Sequence, residues 1–253
     1  MISPSPNGVG TVFLVGAGPG DPGLITVRGS QCLAQAQLVL YDYLIHPELL
    51  RYAPDSSQCV CVGHPHTGYA KLQEDVNRRM VAAARAGKCV VRLKSGDPHI
   101  FGRGAEEAAA LAAAGIPFEV VPGVTAASAV ASHAGIPITH RDAASAVALI
   151  TGHRRADAGG AELDYEALAR FPGTLVFYMG MTTSRQWSEA LIRGGLAPNT
   201  PAAIVRRASW PDQQTVRCTL GTMADVIERQ EIRAPAVIVV GQSVALTPQA
   251  PPA

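Results

Sequence analysis

The chain has 253 residues, of which 47% are hydrophobic and 16% charged, and its formal net charge is +1. This length leaves room for two domains or one large α/β domain with a substantial buried core. A charge so close to zero excludes recruitment of nucleic acid or an anionic membrane by a global field, so an anionic ligand must be held by local basic clusters.

Apolar runs typical of β-strands alternate with helical patterns through the first half of the chain. The strand-like runs are 11–16, 38–42, 58–62, 88–94 and 118–121. Helical patterns lie between them, and Gly87 is placed to end one of these helices. This βαβα order predicts a largely parallel sheet that is covered by helices.

The second half continues the strand pattern at 145–152, 173–180, 201–207, 213–220 and 235–241. The last runs follow one another closely, which predicts a mixed sheet. A boundary near Pro122 and Gly123 divides the chain into an N-terminal α/β domain at 1–122 and a C-terminal α/β domain at 123–253. The final TPQAPPA is typical of a disordered tail.

The N-terminus and the cysteines give further expectations. The first residues lack the basic and apolar regions of a signal peptide, and no run approaches the 18 apolar residues of a membrane span. These features predict a cytoplasmic protein with no membrane partner. The five scattered cysteines predict buried reduced thiols and no metal site.

The first strand-like run ends in a glycine-rich turn, FLVGAGPGDPGLIT at 13–26. Such a turn brings backbone close to a ligand, and the dinucleotide fingerprint G-x-G-x-x-G is the first candidate. Asp21 occupies the sixth position, where its carboxylate would face the phosphates, and Pro19 and Pro22 remove two backbone donors. The loop is therefore predicted to approach a ligand other than a pyrophosphate.

The stretch RLKSGDPHIFGRGAEE at 92–107 carries the most chemistry. It leaves a buried strand and turns through residues 95–98 before a helix begins. Because ligands bind at the carboxyl ends of strands in open α/β sheets, the loops after residues 16 and 94 are expected to lie side by side. Two alternatives stay open for Asp97: it faces a ribose or a cationic ligand, or it forms an Asx-turn that leads toward the helix.

Seven segments together carry a resemblance to a known family. In chain order they are VGAGPGDPGLIT, YDYLI, VVRLKSGDPHIFGRGAEE, VPGVTAASA, AGIPITHRD, TGH and LVFYMG. They occur at close to the expected spacings and cover nearly everything from residue 11 to 245. On these segments the chain resembles the tetrapyrrole methylase family, and within it the uroporphyrinogen-III C-methyltransferases.

The resemblance implies an S-adenosylmethionine-dependent enzyme with two α/β domains and the active site in the cleft between them. The activity it implies is successive C-methylation of uroporphyrinogen III at C2 and C7. The product would be precorrin-2, formed via precorrin-1, for sirohaem or cobalamin biosynthesis, and S-adenosylhomocysteine would be released. The resemblance also implies a homodimer.

Matched by position, the resemblance implies a set of cofactor contacts made mostly of small residues and backbone. They are Pro19, Ser95, Gly96, Asp97, Ile100, Thr125, Ala126, Met179, Ala208 and Ala236. Small residues admit the flat base, a carboxylate accepts hydrogen bonds from the ribose diol, and a methionine packs softly. Without the motif, Met179 is typical of a hydrophobic core.

Two residues match positions with proposed catalytic roles in the family. Asp42, at the end of a strand-like run, matches the proton acceptor and could also orient the ring N–H groups, although outside the motif it is typical of a strand cap. His64 occupies the position of a lysine that is proposed as the proton donor, and it either inherits that role or only contacts the tetrapyrrole. Ser95 is a second departure, because the family commonly has glycine at this position. Either the site needs a left-handed backbone or close approach, which would cost a serine about 1–2 kcal/mol, or the serine adds a hydroxyl contact.

The implied substrate carries several carboxylates, which arginine forks and other cations bind. The candidates are Arg28, Lys94, Arg103, His140, Arg141 and His153. Those in the THR and TGH segments are ranked above the rest.

Three other functions stay open. A precorrin methyltransferase acting at another ring carbon would turn over a different tetrapyrrole. A dinucleotide-dependent oxidoreductase would show nicotinamide-linked turnover and no affinity for S-adenosylhomocysteine. A non-catalytic carrier would bind the tetrapyrrole without releasing a methyl-transfer product.

Overall fold

The computed structural model describes residues 8–63, 69–153 and 162–246. The chain divides into two compact units, Met1–Thr125 and Ala126–Ala253, which we call the first and second domains. The sequence placed the boundary between residues 122 and 123. The predicted tail at 247–253 lies outside the described residues.

The first domain contains a five-stranded sheet in the order β3-β2-β4-β1-β5. All four strand pairs are parallel. The strands are β1 Val12–Gly16, β2 Leu38–Tyr41, β3 Gln58–Cys61, β4 Val90–Lys94 and β5 Phe118–Val121. The α-helices are α1 Val27–Leu33, α2 Tyr69–Arg85 and α3 Gly104–Ala113.

The central strands β1 and β4 are buried over their whole length because helices cover both faces of the sheet. Alternate residues of β1 contribute to two cores. Phe13 and Val15 pack in a cluster with Cys32 and Leu33 of α1. The opposite face packs against α2 and α3, where Met80 and Leu111 are fully buried.

The second domain contains a mixed five-stranded sheet in the order β6-β7-β10-β8-β9. Strands β6 and β7 are parallel, and the other three pairs are antiparallel. The strands are β6 Val147–Thr151, β7 Thr174–Tyr178, β8 Pro201–Arg206, β9 Gln214–Thr219 and β10 Ala236–Val240. The α-helices are α4 Ala126–His133, α5 Tyr165–Ala169, α6 Ser184–Arg193 and α7 Met223–Arg229.

Alternate residues of β7 again separate two cores. Phe177 stacks on Trp187 of α6, with ring centroids 3.9 Å apart and planes 9° apart. The Trp187 ring N–H donates to the Gly180 carbonyl over 2.9 Å, so the buried indole is satisfied. Val176 faces the other side, in a cluster with Ala127 and Val130 of α4.

The predicted fold class, two α/β domains with a parallel and a mixed sheet, is confirmed. The prediction of buried thiols holds for Cys32 and is wrong for Cys59, which is exposed because β3 is an edge strand. Among the described residues, no helix has the length and apolar character needed to cross a membrane.

Candidate active site

Three loops meet at the carboxyl edge of the first sheet, after β1, β4 and β5. Gly18 and Gly96 exchange two backbone hydrogen bonds, of 3.2 and 2.8 Å, so the loops after β1 and β4 lie side by side as predicted. Gly123, after β5, packs so tightly on them that a Cβ there would lie 2.2 Å from the Gly96 carbonyl oxygen. Only glycine permits this backbone approach.

The Asp97 carboxylate ties these loops together. Its Oδ1 accepts hydrogen bonds from the backbone N–H groups of His99 (2.8 Å) and Ile100 (3.2 Å), and its Oδ2 accepts one from Gly123 (3.0 Å). The first two contacts are those of an Asx-turn, one of the two alternatives that the sequence left open. A carboxylate offers about four lone-pair sites, so Asp97 keeps acceptor capacity for a ligand hydroxyl.

The backbone around Ser95 is unstrained. The left-handed residue of this turn is Gly96, with φ of 67°, and Ser95 does not have a positive φ. The cost anticipated for serine at the usual glycine therefore does not arise. The Ser95 N–H instead donates to Asp42 Oδ2 over 3.2 Å, which brings two of the predicted site residues together.

Asp42 follows β2 at the same carboxyl edge. Its backbone N–H donates to the Leu93 carbonyl over 3.1 Å, and its side chain is 26% exposed. Oδ1 forms an ion pair with Arg92 of β4, a buried residue that the sequence analysis had not singled out. Asp42 is thus a carboxylate that is fixed from inside the domain and reaches the surface at the sheet edge.

Lys94 does not fit its predicted role as a substrate-binding cation. Lys94 is 1% exposed, and its Nζ lies 2.9 Å from Oε2 of Glu107, which is also fully buried. Burial lowers the pKa of Lys94, and the charge of Arg92 nearby lowers it further. The prediction was wrong because this lysine points into the face of the sheet that α3 covers.

Arg28 also lies away from the edge where the loops meet. Its guanidinium pairs with both oxygens of Glu119, at 2.8 and 2.5 Å, and sits 5.8 Å from the Phe13 ring centre. Phe13 and Glu119 are paired near the amino ends of their strands, about 10 Å of strand away from Gly16. Glu119 therefore engages Arg28 away from this edge, and the role of Arg28 in substrate binding stays a prediction.

The remaining predicted residues of the first domain lie on its surface or near it. Arg103, at the start of α3, holds both oxygens of Glu106 at 2.8 and 2.7 Å. Ile100 is exposed, and Pro19 and Thr125 are half-buried. His64 lies outside the described residues, so its role as proton donor or tetrapyrrole contact stays a prediction.

In the second domain, four predicted residues gather at one edge of the mixed sheet. Because β10 runs antiparallel to β7 and β8, Ala236 at its start lies beside Arg206 at the end of β8, and Val237 lies beside Tyr178 at the end of β7. Met179 follows Tyr178 directly, and Ala208 is the second residue after Arg206. His153 follows β6, whose last residue, Thr151, is also paired with Tyr178.

Met179 is exposed, which rules out the core role that its type suggests. Met179 is 52% exposed, and its φ is 53°, a left-handed backbone conformation that residues other than glycine rarely adopt. Ala208 likewise lies between two left-handed residues, Arg207 and Ser209. Strained backbone of this kind clusters at ligand-binding sites.

The loop after β8 is fastened by residues that the sequence analysis missed. Asp212 accepts hydrogen bonds from Arg207 (2.7 Å) and Arg206 (3.2 Å), and the Arg207 guanidinium lies 4.1 Å from the Trp210 ring centre. The amino end of α4, which carries Ala126, is fixed separately because the Tyr178 hydroxyl accepts the Ala127 N–H over 2.9 Å.

His140 and Arg141 line an open depression of about 440 Å³ with Thr139, Ala144 and Ser145. The His140 Nδ1 accepts the Asp142 N–H over 3.2 Å, which orients the ring. Both candidate cations therefore stand beside a surface concavity of the second domain.

Residues 11–224 match the family Tetrapyrrole (Corrin/Porphyrin) Methylases. The match covers most of the chain, which therefore belongs to this family. The prediction that the chain is an enzyme, a methyltransferase of this class, is confirmed.

Among curated proteins, the chain is 49% identical over 238 residues to siroheme synthase 1 from Yersinia enterocolitica and 48% identical over 233 residues to siroheme synthase from Zymomonas mobilis. These alignments cover 94% and 92% of the chain but only 49% of each relative. The chain thus spans about half the length of these relatives.

Solved structures resemble the chain over nearly its whole length. The uroporphyrin III C-methyltransferase from Thermus thermophilus is 40% identical, with a TM-score of 0.78 and 94% coverage of both chains. A structure of the Thermus thermophilus enzyme complexed with S-adenyl homocysteine is 38% identical, with a TM-score of 0.79 and coverage of 95% and 96%. A cobalt precorrin-4 methyltransferase is 30% identical, with a TM-score of 0.82 and coverage of 92% and 95%.

Proposed function

We propose that the chain is an S-adenosylmethionine-dependent C-methyltransferase that acts on uroporphyrinogen III. Methyl groups would be added at C2 and C7, giving precorrin-2 via precorrin-1, a precursor of sirohaem and cobalamin. The observation that carries the proposal is the backbone junction of Gly18, Gly96 and Gly123 beside Asp42 and Asp97. It occurs in a chain that is 40% identical to a uroporphyrin III C-methyltransferase.

The residues at both sheet edges fit an adenosyl ligand. A Cβ added at Gly96 would meet no atom within 4 Å, so open space lies in front of this turn, and Asp97 keeps acceptor capacity for a ribose hydroxyl. In the second domain an exposed methionine and two small alanines stand at neighbouring strand ends. Such a mixture of small, soft and hydrogen-bonding groups suits a flat base with a sugar and a sulfonium.

We assign the cofactor to Pro19, Ser95, Gly96, Asp97, Ile100, Thr125, Ala126, Met179, Ala208 and Ala236. When bound, S-adenosylmethionine supplies an electrophilic methyl group. Asp97 would hold the ribose, while the small residues leave room for the base. Met179 would pack its thioether against the ligand.

Asp42 is assigned the role of orienting the macrocycle and accepting the proton that it loses. Its carboxylate is held by Arg92 on one oxygen and by the Ser95 N–H on the other. Because both contacts come from the protein interior or backbone, the carboxylate keeps a fixed position at the sheet edge. A fixed acceptor lowers the entropy cost of proton transfer.

Substrate carboxylates are assigned to His140, Arg141 and His153, with Arg103 after exchange of its Glu106 partner. The first two flank the depression in the second domain, and His153 lies at the edge that carries Met179. The resemblance also supports a homodimer, which light scattering of the purified chain tests. The cytoplasmic location stays the expectation of the sequence analysis.

One assay tests the proposed activity. The purified chain is incubated anaerobically with uroporphyrinogen III and labelled S-adenosylmethionine, and the methyl groups in the product are counted and placed by NMR. Two methyl groups, at C2 and C7, support the proposal. Turnover of a precorrin but not of uroporphyrinogen III would instead favour a methyltransferase for another ring carbon, an alternative supported by the likeness to the cobalt precorrin-4 enzyme.

A further inference from the structure

Four charged side chains form a connected cluster in the first domain. Two are anions, Asp42 and Glu107, and two are cations, Arg92 and Lys94. The side chains of Glu107, Lys94 and Arg92 are at most 5% exposed, and only Asp42 reaches the surface. The proposed mechanism uses Asp42 and does not explain why three more charges are buried behind it.

The contacts of the cluster converge on Glu107. Its Oε1 accepts hydrogen bonds from the Arg92 Nε and from the Gln73 amide of α2, both at 3.0 Å, while its Oε2 pairs with Lys94 Nζ. Glu107 lies on α3 and is fully buried, so these three partners fix it from β4 and α2.

Arg92 transmits this position to Asp42. Its Nε is bound by Glu107, its Nη1 donates to the carbonyls of Leu40 (3.4 Å) and Leu93 (3.2 Å), and its Nη2 contacts Asp42 Oδ1. The guanidinium is a rigid plane, so holding its Nε constrains the direction in which Nη2 points. The position of the Asp42 oxygen therefore depends on a guanidinium that Glu107 also holds.

The charge of Glu107 is also needed to keep the two cations in place. Arg92 and Lys94 project from β4 two residues apart and share this carboxylate. Without it, two like charges would face each other in a buried environment, where repulsion is poorly screened. Arg92 would then be drawn away from its position, or would keep Asp42 as its one carboxylate partner beside the carbonyls of Leu40 and Leu93.

We propose that Glu107 is a positioning residue for Asp42, acting through Arg92 to fix the direction of the carboxylate at the sheet edge. The inference rests on the proposed function, because it assumes that Asp42 takes part in turnover. It adds a residue of α3 that touches neither cofactor nor substrate.

The test is a double-mutant cycle with Glu107→Gln and Asp42→Asn. Glu107→Gln keeps the shape of the side chain and removes its charge. We expect kcat to fall by about tenfold to a hundredfold, as for a misplaced catalytic group, while the affinity for S-adenosylhomocysteine stays unchanged. In the Asp42→Asn background, Glu107→Gln should slow turnover no further, because the group that it positions is already lost.

Asp75→Asn is the matched control. Asp75 also pairs with two cations, Arg78 and Arg79, but on the exposed face of α2, so its loss should leave kcat at the parent value. If Glu107→Gln fails to fold, Arg92→Lys enters the same cycle, because a lysine lacks the planar fork that holds Glu107 and Asp42 in fixed directions.

The outcomes separate the inference from the proposed function. A parent that does not methylate uroporphyrinogen III refutes the proposed function and the inference with it. A normal rate for Asp42→Asn in an active parent removes the role of Asp42. If Asp42→Asn lowers kcat and adding Glu107→Gln lowers it again by the full factor seen in the parent, the inference alone is overturned. The effect of Glu107 would then not pass through Asp42.

Discussion

Replacing Asp97 should loosen the junction of the three loops in the first domain. Asp97→Ala removes the acceptor for the N–H groups of His99, Ile100 and Gly123. Asp97→Asn is more selective. Its amide oxygen can still accept from His99 and Ile100, but its NH₂ group cannot accept from Gly123.

The structure sets the size of these effects. Hydrogen bonds to a charged group contribute about 1.5–3 kcal/mol when buried, and less where water can replace them. His99 and Ile100 are exposed whereas Gly123 is half-buried, so the Gly123 bond should dominate. We expect Asp97→Ala to lower the free energy of unfolding by about 2–4 kcal/mol and Asp97→Asn by about 1–2 kcal/mol.

Denaturant unfolding measures these losses, with Asp164→Ala as a control. Asp164 caps α5 through a single bond to the Ala167 N–H, of 2.9 Å, so its loss should cost about 1 kcal/mol. Calorimetry with S-adenosylhomocysteine should show Asp97→Ala weaker by about 1–3 kcal/mol. If Asp97→Ala unfolds no more easily than the control, Asp97 does not hold the loops together, and unchanged affinity would remove it from the cofactor site.

Three further changes test other predicted parts of the site. Gly123→Ala should destabilise the fold more than Gly96→Ala. The new Cβ at Gly123 would lie 2.2 Å from backbone, whereas a Cβ at Gly96 has space and costs only the left-handed strain of about 1–2 kcal/mol. Thermal unfolding that gives the reverse order would contradict this expectation. Met179→Gly should relieve the left-handed strain at this residue, so the free energy of unfolding should stay unchanged or rise slightly. Calorimetry should show weaker binding of S-adenosylhomocysteine, and a loss of stability would show that Met179 supports the fold instead. If His64 inherits the donor role, activity should fall as pH rises through the range near 6.5 in which histidine ordinarily titrates, and His64→Lys should extend activity to higher pH. If pH–rate profiles of the parent, His64→Lys and His64→Ala coincide, His64 donates no limiting proton.

The meeting of the loops could be predicted from the sequence because it follows from topology. Parallel strands end at one edge, so the glycine turn after β1 and the Ser95–Asp97 turn after β4 had to be neighbours. The packing of Gly123 on the Gly96 carbonyl could not be predicted, because nothing in the order of the strands specifies this contact. That contact depends on the register of β5 against β1, which only the folded sheet fixes.

The partners of charged residues were the least predictable part of the site. Arg28 and Lys94 were grouped as substrate-binding cations because their charges suit carboxylates. Arg28 reaches Glu119 across 91 positions of sequence, and Lys94 reaches Glu107 on the helix that covers its strand. Sequence spacing does not indicate the pair of Arg28 and Glu119. The pair of Lys94 and Glu107 is equally hard to predict, because the sequence does not show that every residue of β4 is buried.

The buried cluster behind Asp42 is hard to explain by stability. Replacing a buried ion pair with apolar residues of similar volume is often neutral or stabilising by about 1–4 kcal/mol, so burying Arg92, Lys94 and Glu107 is not an economical way to fill a core. Their neighbours in β4 are valine and leucine, which shows that the strand packs well with apolar side chains. The one place where the cluster opens to solvent is Asp42, at the edge where the loop glycines meet. A requirement for a carboxylate held in one direction at that edge accounts for the charges, because an apolar core could pack the strand but could not bind the Asp42 oxygen.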